Sequence, residues 1–314
     1  MRQNPVIINQ VSAKFGSAVA RHCSAPVVLD HIQPDRPWDL PEGAEILVTN
    51  ASAWRNCPPD FSLPPKLKWV QTEATGVEIY PEVLKSGCIM TCGRGLNAAP
   101  IAEFVFAALL RREKKLEEIR AYGPADWNRP EIGGLYGRTL GIIGFGALGE
   151  AIARRASAFC MNIVAYRRGS WNEVPERVTP CFSPEAVITR ADYLVIAAPF
   201  TSETAGMFNA VLLSQAKPGL HLINISRGGL VDQQALLDGL DSGRIGYATL
   251  DVTSPEPLPD GHSLYSHPNV FISPHISWLG SKKGNYFLDR FLSNLDAYLC
   301  NQPLRHLVHP EHGY

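Results

Sequence analysis

Charge is what this chain has least of. Its 29 Lys and Arg balance 30 Asp and Glu, leaving a formal −1, and charged residues make up only 19% of 314. That balance argues against nucleic acid or a membrane surface as the main partner. Long apolar runs are missing too: the longest helical one, residues 101–110, is far too short to span a bilayer. No basic region followed by an apolar core opens the chain, because Met1-Arg2-Gln3-Asn4-Pro5 leads straight into strand-like Val6-Ile7-Ile8. The seven cysteines (23, 57, 88, 92, 160, 181 and 300) are odd in number and follow no disulfide framework. They are expected to be reduced thiols of a cytoplasmic protein. Cys88 and Cys92 stand at CxxxC spacing beside an apolar strand. No neighbouring Cys/His pair completes a zinc site, and no metal is expected. Short-period repeats and low-complexity segments are absent as well.

What is present is an ordinary globular composition, 45% apolar, on a chain long enough for two domains. From residue 1 to about 95, Val6-Ile7-Ile8, Val27-Val28-Leu29, Ile46-Leu47-Val48, Leu67-Lys68-Trp69-Val70 and Cys88-Ile89-Met90-Thr91 read as strands. Continuous apolar runs of this length suit a parallel sheet covered on both faces. Asn97-Ala98-Ala99-Pro100 then starts a long helix, with Asn97 as its cap and Pro100 in the first turn. Ile101, Phe104, Val105, Ala108 and Leu109 form its apolar face. The charged continuation 111–120 is read as a solvated face or part of a subunit contact.

Beyond a Pro/Gly-rich stretch at 123–138, strand patterns recur at 140–144, 162–166, 193–198, 220–225, 247–251 and 270–273. Helical patterns lie between most of them. Six strands with crossovers predict a doubly wound sheet. Gly280, Lys282, Lys283 and Gly284 interrupt the chain before a last amphipathic helix at 286–299. The expected division is 1–96 with 285–314 as a smaller α/β domain, and 97–284 as a larger one.

The larger domain opens on Thr139-Leu140-Gly141-Ile142-Ile143-Gly144-Phe145-Gly146-Ala147-Leu148-Gly149. A strand, a GxGxxG turn and a helix in this order are what a dinucleotide's pyrophosphate needs. Gly144 permits the turn, Gly146 lets the ligand approach the backbone, and Gly149 lets helix pack on strand. The N–H groups around Ala147 and Leu148 supply positive potential. The fingerprint alone is a weak signal; its context strengthens it. An NAD site would carry an Asp or Glu at the tip of the second strand, but Asn162-Ile163-Val164-Ala165-Tyr166 ends in Arg167-Arg168-Gly169-Ser170. Two guanidiniums and a hydroxyl suit a 2′-phosphate, so NADP(H) is expected ahead of NAD(H).

Three further segments follow: Ile223-Asn224-Ile225-Ser226-Arg227-Gly228-Gly229-Leu230-Val231-Asp232, Leu250-Asp251-Val252-Thr253-Ser254-Pro255-Glu256-Pro257, and Ser273-Pro274-His275-Ile276-Ser277. Reduction of a 2-keto acid needs a cation for carboxylate and carbonyl, a proton donor for the new alkoxide, and a hydride. Arg227 offers the planar fork, His275 the acid/base, and Glu256 an anion that orients the imidazole and favours its protonated form. Taken singly, each has a plainer role: a surface charge, a structural histidine, a solvated loop acid. Asp251 could simply cap a loop.

With the glycine turn, these segments resemble the D-isomer-specific 2-hydroxyacid dehydrogenase family, which includes glyoxylate/hydroxypyruvate reductases. The likeness extends to residues 98–103, 199–204 and 303–308. It implies two doubly wound parallel-sheet α/β domains, a Rossmann-type cofactor domain and a smaller flavodoxin-like substrate domain. It implies the same catalytic roles for Arg227, Glu256 and His275, and places Pro199, Thr204, Ile225 and Asp251 on the cofactor. It puts the N–H groups of Thr75 and Gly76 on the substrate carboxylate. It also implies a homodimer through the helix after Asn97, and a substrate enclosed between the domains.

The loop Glu73-Ala74-Thr75-Gly76-Val77-Glu78 is an unusual version of the family's glycine loop. Trp278 is read as a wall of the substrate pocket, suited to small acids, or as part of a subunit contact. The expected activity is NADP(H)-linked interconversion of small 2-keto and D-2-hydroxy acids. The alternatives are a phosphite- or formate-type oxidoreductase on the same scaffold, or a dinucleotide-sensing co-repressor-like protein. Formate enzymes of this superfamily pair the active histidine with Gln, so Glu256 speaks against that branch.

Overall fold

The computed structural model describes residues 4–32, 34–280 and 283–309, apart from the side chains of 283–285. The expectations placed on Met1-Arg2-Gln3, on Lys282 and on residues 310–314 lie outside the described residues. Two compact units emerge: Met1–Leu96 with Gly280–Tyr314, and Asn97–Leu279.

The first unit opens with β1 (Val6–Asn9), α1 (Ala13–Val19), β2 (Val27–Asp30), β3 (Ile46–Thr49), β4 (Trp69–Thr72), α2 (Glu82–Gly87) and β5 (Ile89–Thr91). The second begins with α3 (Ala98–Lys114), β6 (Thr139–Ile143), α4 (Ala147–Ala158), β7 (Asn162–Tyr166), β8 (Val178–Cys181), α5 (Pro184–Ile188) and β9 (Tyr193–Ile196). It continues through α6 (Ala210–Ser214), β10 (Leu220–Asn224), α7 (Gln233–Asp241), β11 (Ile245–Leu250), α8 (Ser263–Ser266) and β12 (Val270–Ile272). The chain then rejoins the first unit as α9 (Lys283–Leu299).

Among the described residues every pair of named strands is parallel, as the uninterrupted apolar runs require. The first sheet has the order β2-β1-β3-β4-β5 and the second β12-β11-β10-β9-β6-β7-β8. These are the flavodoxin-like and Rossmann-like orders, the second extended at one edge. In such sheets ligands bind beyond the carboxyl ends of the strands, at the point where strand order reverses. In the second unit that point lies between β6 and β9, paired Ile143 to Ile196 at their ends.

Apolar clusters cover each sheet. In the second unit Val105, Phe106, Ile152 and Ala156 of α3 and α4 pack with Leu140, Ile142 and Ile163. On the other cluster Val187, Leu213 and Leu236 pack with Ile143, Leu194 and Leu222. In the first unit Trp54, Tyr80 and Leu84 pack with Ile8, Leu47 and Val70. Phe287, Phe291 and Leu295 of α9 pack with Ile7, Ile46, Val48 and Trp69.

Some details depart from the sequence pattern. The second sheet has a seventh strand, β8, whose Thr179 and Pro180 disguise it; proline is tolerated there because β8 is an edge strand. Asn97 holds the cap position of α3 but makes no side-chain cap bond; its carbonyl accepts from the Ile101 N–H at 3.1 Å. The buried face of α3 is Ala102, Val105, Phe106 and Leu109, with Ile101, Phe104 and Ala108 at its margins. Arg111 and Arg112, grouped with a solvated run, instead lie over the rings of Phe271 and Tyr247 at 4.6 and 4.7 Å. Of the CxxxC pair, Cys92 is buried, and Cys88 donates to the Leu84 carbonyl at 3.1 Å. Burial pushes the Cys88 thiol up to about 11, and all seven cysteines are free.

Candidate active site

The glycine turn follows β6 directly. Gly144 has φ +99°, where a side chain is strained, and a Cβ there would meet the backbone of Ala197 and Ala198 at 2.5 Å. A Cβ on Gly149 would lie 2.6 Å from the Gly144 carbonyl oxygen, so α4 can approach β6 only through glycine. Gly146, by contrast, faces open space and caps the N-terminus of α4, beside Ala147 and Leu148. An open backbone cradle at a helix N-terminus fits a dinucleotide pyrophosphate.

At the tip of β7, Arg168 pairs through Nη1 with Glu203 at 2.8 Å, both side chains being substantially exposed. Arg167 stands 5.9 Å from the Trp171 ring, and Ser170 donates to Asn172 at 3.2 Å. Glu203 belongs to no motif of the sequence; its one signal is that it is an acid inside the segment 199–204, which also supplies Pro199 and Thr204. The Thr204 hydroxyl accepts from the Thr201 N–H and donates to the Pro199 carbonyl, both at 2.8 Å. Thr204 therefore shapes this loop from within.

Buried Ile225 ends the β10 segment, and Ser226 then donates to the Ala198 carbonyl. Asn224 holds the next turn at both ends, accepting from the Ser226 N–H at 3.1 Å and donating to the Arg227 carbonyl at 2.9 Å. The Arg227 guanidinium donates to the Ser226 carbonyl at 2.7 Å and is half-buried. A Cβ on Gly228 would sit 2.0 Å from the Thr253 carbonyl group. The glycine after Arg227 thus lets this turn press against the loop that leads to Glu256.

That loop has cis peptides before Pro255 and Pro257. Gln233 clamps it in both directions, accepting from the Ser254 N–H at 3.0 Å and donating to its carbonyl at 2.7 Å. Gln233 belongs to no motif, and nothing in the local sequence marks it.

His275 adopts φ +54°, an unusual conformation for a residue with a side chain. Its N–H donates to the carbonyls of Asp251 and Ser273, both at 2.9 Å. The carboxylate of Asp251, 1% exposed, organises the same turn: Oδ1 accepts from the Ser273 hydroxyl at 2.6 Å and the Ile276 N–H at 2.9 Å, and Oδ2 from the Ser277 N–H at 3.0 Å. The loop-capping role of Asp251 is thus visible in full. Trp278 adds a bond from its indole N–H to the His275 carbonyl at 2.8 Å. With its backbone so fixed, His275 points Nδ1 at Glu256, 3.1 Å from Oε1 and 3.2 Å from Oε2. That pairing leaves Nε2 as the ring nitrogen for proton exchange.

Arg227, Asp251, Glu256, His275 and Trp278 all belong to the second unit. Thr75 and Gly76 belong to the first, on an exposed loop after β4. This loop is tied down by the Thr72 hydroxyl, which accepts from the Ala74 N–H at 3.2 Å, and by the Ala74 carbonyl, which accepts from the Gly93 N–H at 2.9 Å. The buried Tyr80 hydroxyl bonds Thr72 at 3.0 Å, and burial pushes it up to about 12.

Residues 105–277 match the family model described as D-isomer specific 2-hydroxyacid dehydrogenase, NAD binding domain. A glyoxylate reductase of Thermococcus litoralis is 35% identical over 260 residues, covering 79% of this chain and 78% of the relative. A glycerate dehydrogenase of Methylorubrum extorquens is 30% identical over 275 residues, covering 83% and 85%. Among solved structures, the NADPH-dependent glyoxylate/hydroxypyruvate reductase of Sinorhizobium meliloti, solved with NADP and sulfate, superposes with a TM-score of 0.78. It is 25% identical and covers 99% of this chain and 100% of that one.

Proposed function

Because the chain belongs to the D-isomer-specific 2-hydroxyacid dehydrogenase family, we propose that it reduces small 2-keto acids to D-2-hydroxy acids with NADPH. The observation that carries this reading is the His275–Glu256 pair at 3.1 Å, held on a turn in which the N–H groups of His275, Ile276 and Ser277 all have acceptors. The bound dinucleotide supplies the hydride. Gly144, Gly146 and Gly149 with the N-terminus of α4 hold its pyrophosphate, and Pro199, Thr204 and Ile225 line its path. Arg167, Arg168 and Ser170 receive the 2′-phosphate, for which the exposed Arg168–Glu203 pair is a weak competitor.

Arg227 takes the substrate carboxylate and polarises the carbonyl, helped by the N–H groups of Thr75 and Gly76. His275 delivers the proton from Nε2 to the forming alkoxide, and Glu256 keeps Nδ1 protonated and the ring aligned. Asp251 fixes the His275 turn beside the nicotinamide carboxamide. Trp278 walls the site and limits the acid to a short side chain. The chain works as a homodimer, a reading supported by Tyr122, Trp127 and Tyr136, which are 79%, 85% and 84% exposed beyond α3.

The test is the initial rate with NADPH beside NADH over glyoxylate, hydroxypyruvate, pyruvate and bulkier 2-keto acids. Turnover led by NADPH and abolished in His275→Ala upholds the proposal. Equal use of the two cofactors removes the arginine pair from it. Cofactor binding without turnover of any acid replaces the enzyme with a dinucleotide sensor.

A further inference from the structure

The two ends of the first unit meet at a polar cluster that the reductase reading leaves unused. After α1 the chain turns sharply. The His22 N–H donates to the Val19 carbonyl at 2.9 Å, and the His22 carbonyl accepts from the Ala25 N–H at 3.0 Å, with Ala25 at φ +46°. Fully buried Ser24 anchors this turn, its carbonyl accepting from the Asn4 N–H at 2.9 Å. α9 packs on α1 through Phe15, whose ring lies 5.2 Å from that of Phe287 and 5.5 Å from that of Phe291. Helix and turn thereby bring Asp296 Oδ1 to 3.1 Å from His22 Nε2.

Three different donor atoms converge there. Cys23 Sγ lies 4.0 Å from His22 Nε2, and the sulfur, the imidazole nitrogen and an Asp296 carboxylate oxygen all lie within 4.8 Å of one another. A tetrahedral ion about 2.0 Å from nitrogen and oxygen and about 2.3 Å from sulfur separates such atoms by roughly 3.3–3.6 Å. The His22–Asp296 distance already approaches that spacing, and the sulfur has only to swing inward. Cys23 is exposed and free to do so, whereas the His22 side chain is 9% exposed and held in place.

The imidazole is supported from behind. Its Nδ1 lies 2.9 Å from the Ser24 hydroxyl and 3.3 Å from the Ser24 N–H. With Nε2 on a metal the ring proton sits on Nδ1, and the hydroxyl accepts it, as the outer partner of a metal-bound histidine does. Thiolate, imidazole and carboxylate together select zinc over calcium or magnesium, which take oxygen ligands. No local motif could signal this set, because Asp296 stands 274 residues from His22.

We propose that His22, Cys23 and Asp296 bind a zinc-class divalent ion, with water in the fourth position, and that the ion staples the turn after α1 to α9. The Cys23 thiol gives its proton to water as the metal–sulfur bond forms. The staple closes a loop of nearly the whole chain and binds only where both ends of the first unit are in place, so it stabilises the folded form.

The experiment titrates the chelator-treated full chain with cobalt(II) under anaerobic conditions. Visible bands report four-coordinate cobalt, a near-ultraviolet charge-transfer band reports its thiolate, and zinc is then added in competition. The native protein is expected to bind one cobalt with both signatures and to release it to zinc. Cys23→Ser, a change at an exposed position, loses the charge-transfer band and binds at least about tenfold more weakly, since even outer partners are worth that much. Asp296→Asn keeps the band and weakens binding by a similar factor. Cys160→Ser, an exposed thiol of the second unit, leaves both unchanged. Zinc raises the urea midpoint of the native protein and not that of Cys23→Ser.

A charge-transfer band that survives Cys23→Ser or disappears in Cys160→Ser overturns the proposal. So does a native protein that takes up no cobalt at micromolar concentration, or takes it up only in six-coordinate form. Unchanged affinity in Asp296→Asn, or a native urea midpoint indifferent to zinc, overturns the staple.

Discussion

Asp251 shows how much a single carboxylate can organise. Its two oxygens collect a hydroxyl and two backbone N–H groups from the turn that carries His275. Asp251→Asn turns one acceptor into a donor facing an N–H group, so a buried donor is left unpaired. We expect a loss of about 1–3 kcal/mol in urea unfolding and a kcat that falls with it; an unfolding midpoint equal to the native one would refute this role. His275→Ala removes the proton donor itself, and kcat should drop by roughly a thousandfold, within the range of general acid catalysis. Glu256→Gln keeps the shape but loses the anion, and should cost less than His275→Ala. Arg167→Ala with Arg168→Ala should raise KM for NADPH by about tenfold or more and narrow the gap to NADH, read from cofactor titrations at saturating acid.

Among the elements, β10 carries a group whose behaviour depends on its neighbours in the sheet. His221 is 3% exposed, its Nε2 bonds Thr249 of β11 at 2.9 Å, and its Nδ1 has no partner among the described residues. Burial first, and then the Arg112 charge, lowers it to about 3. In the unfolded chain it titrates near 6.5. Above that pH both states are neutral and nothing is lost. Between pH 6.5 and 3 the unfolded chain takes up a proton that the folded one refuses, so stability declines. The loss is on the order of a few kcal/mol. His221→Leu should flatten this stretch of the stability curve, measured by urea unfolding at several pH values. A slope matching that of the native protein would exclude His221 as its source.

The elements also show what could be read in advance. Eleven of the twelve strands among the described residues announce themselves as apolar runs, because a sheet covered on both faces demands them. Only β8, with Thr179 and Pro180 at an edge, lacks that signature. The glycines at 144, 146 and 149 are legible because their spacing is tied to a backbone turn, and Arg227, Glu256 and His275 stand out as candidates through motifs that resemble those of the family. Gln233 and Glu203 are not legible in this way, because they act on residues far away in sequence. The caging of Asp251 and the ring contacts of Arg111 and Arg112 depend on tertiary neighbours that no local pattern encodes.

At the scale of the whole molecule, the exposed aromatics beyond α3 bear on assembly. Trp127→Lys combined with Tyr136→Glu should turn a dimer into a monomer by light scattering, while leaving the far-ultraviolet circular dichroism intact. A native protein that is already monomeric at micromolar concentration would refute the dimer.

The first unit is assembled from both ends of the chain, and this has a consequence during synthesis. One face of its sheet, with Ile7, Ile46, Val48 and Trp69, is covered by Phe287, Phe291 and Leu295 of α9. Until α9 leaves the ribosome, that face is covered only in part, by Phe15 and Val19 of α1. Meanwhile the whole of Asn97–Leu279 must be made, which takes on the order of ten to forty seconds at about 5–20 residues per second. The nascent amino-terminal sheet therefore waits, apolar and sticky, while the second unit can already complete itself. Holding chaperones should engage the first hundred or so residues, and release should coincide with emergence of the last helix.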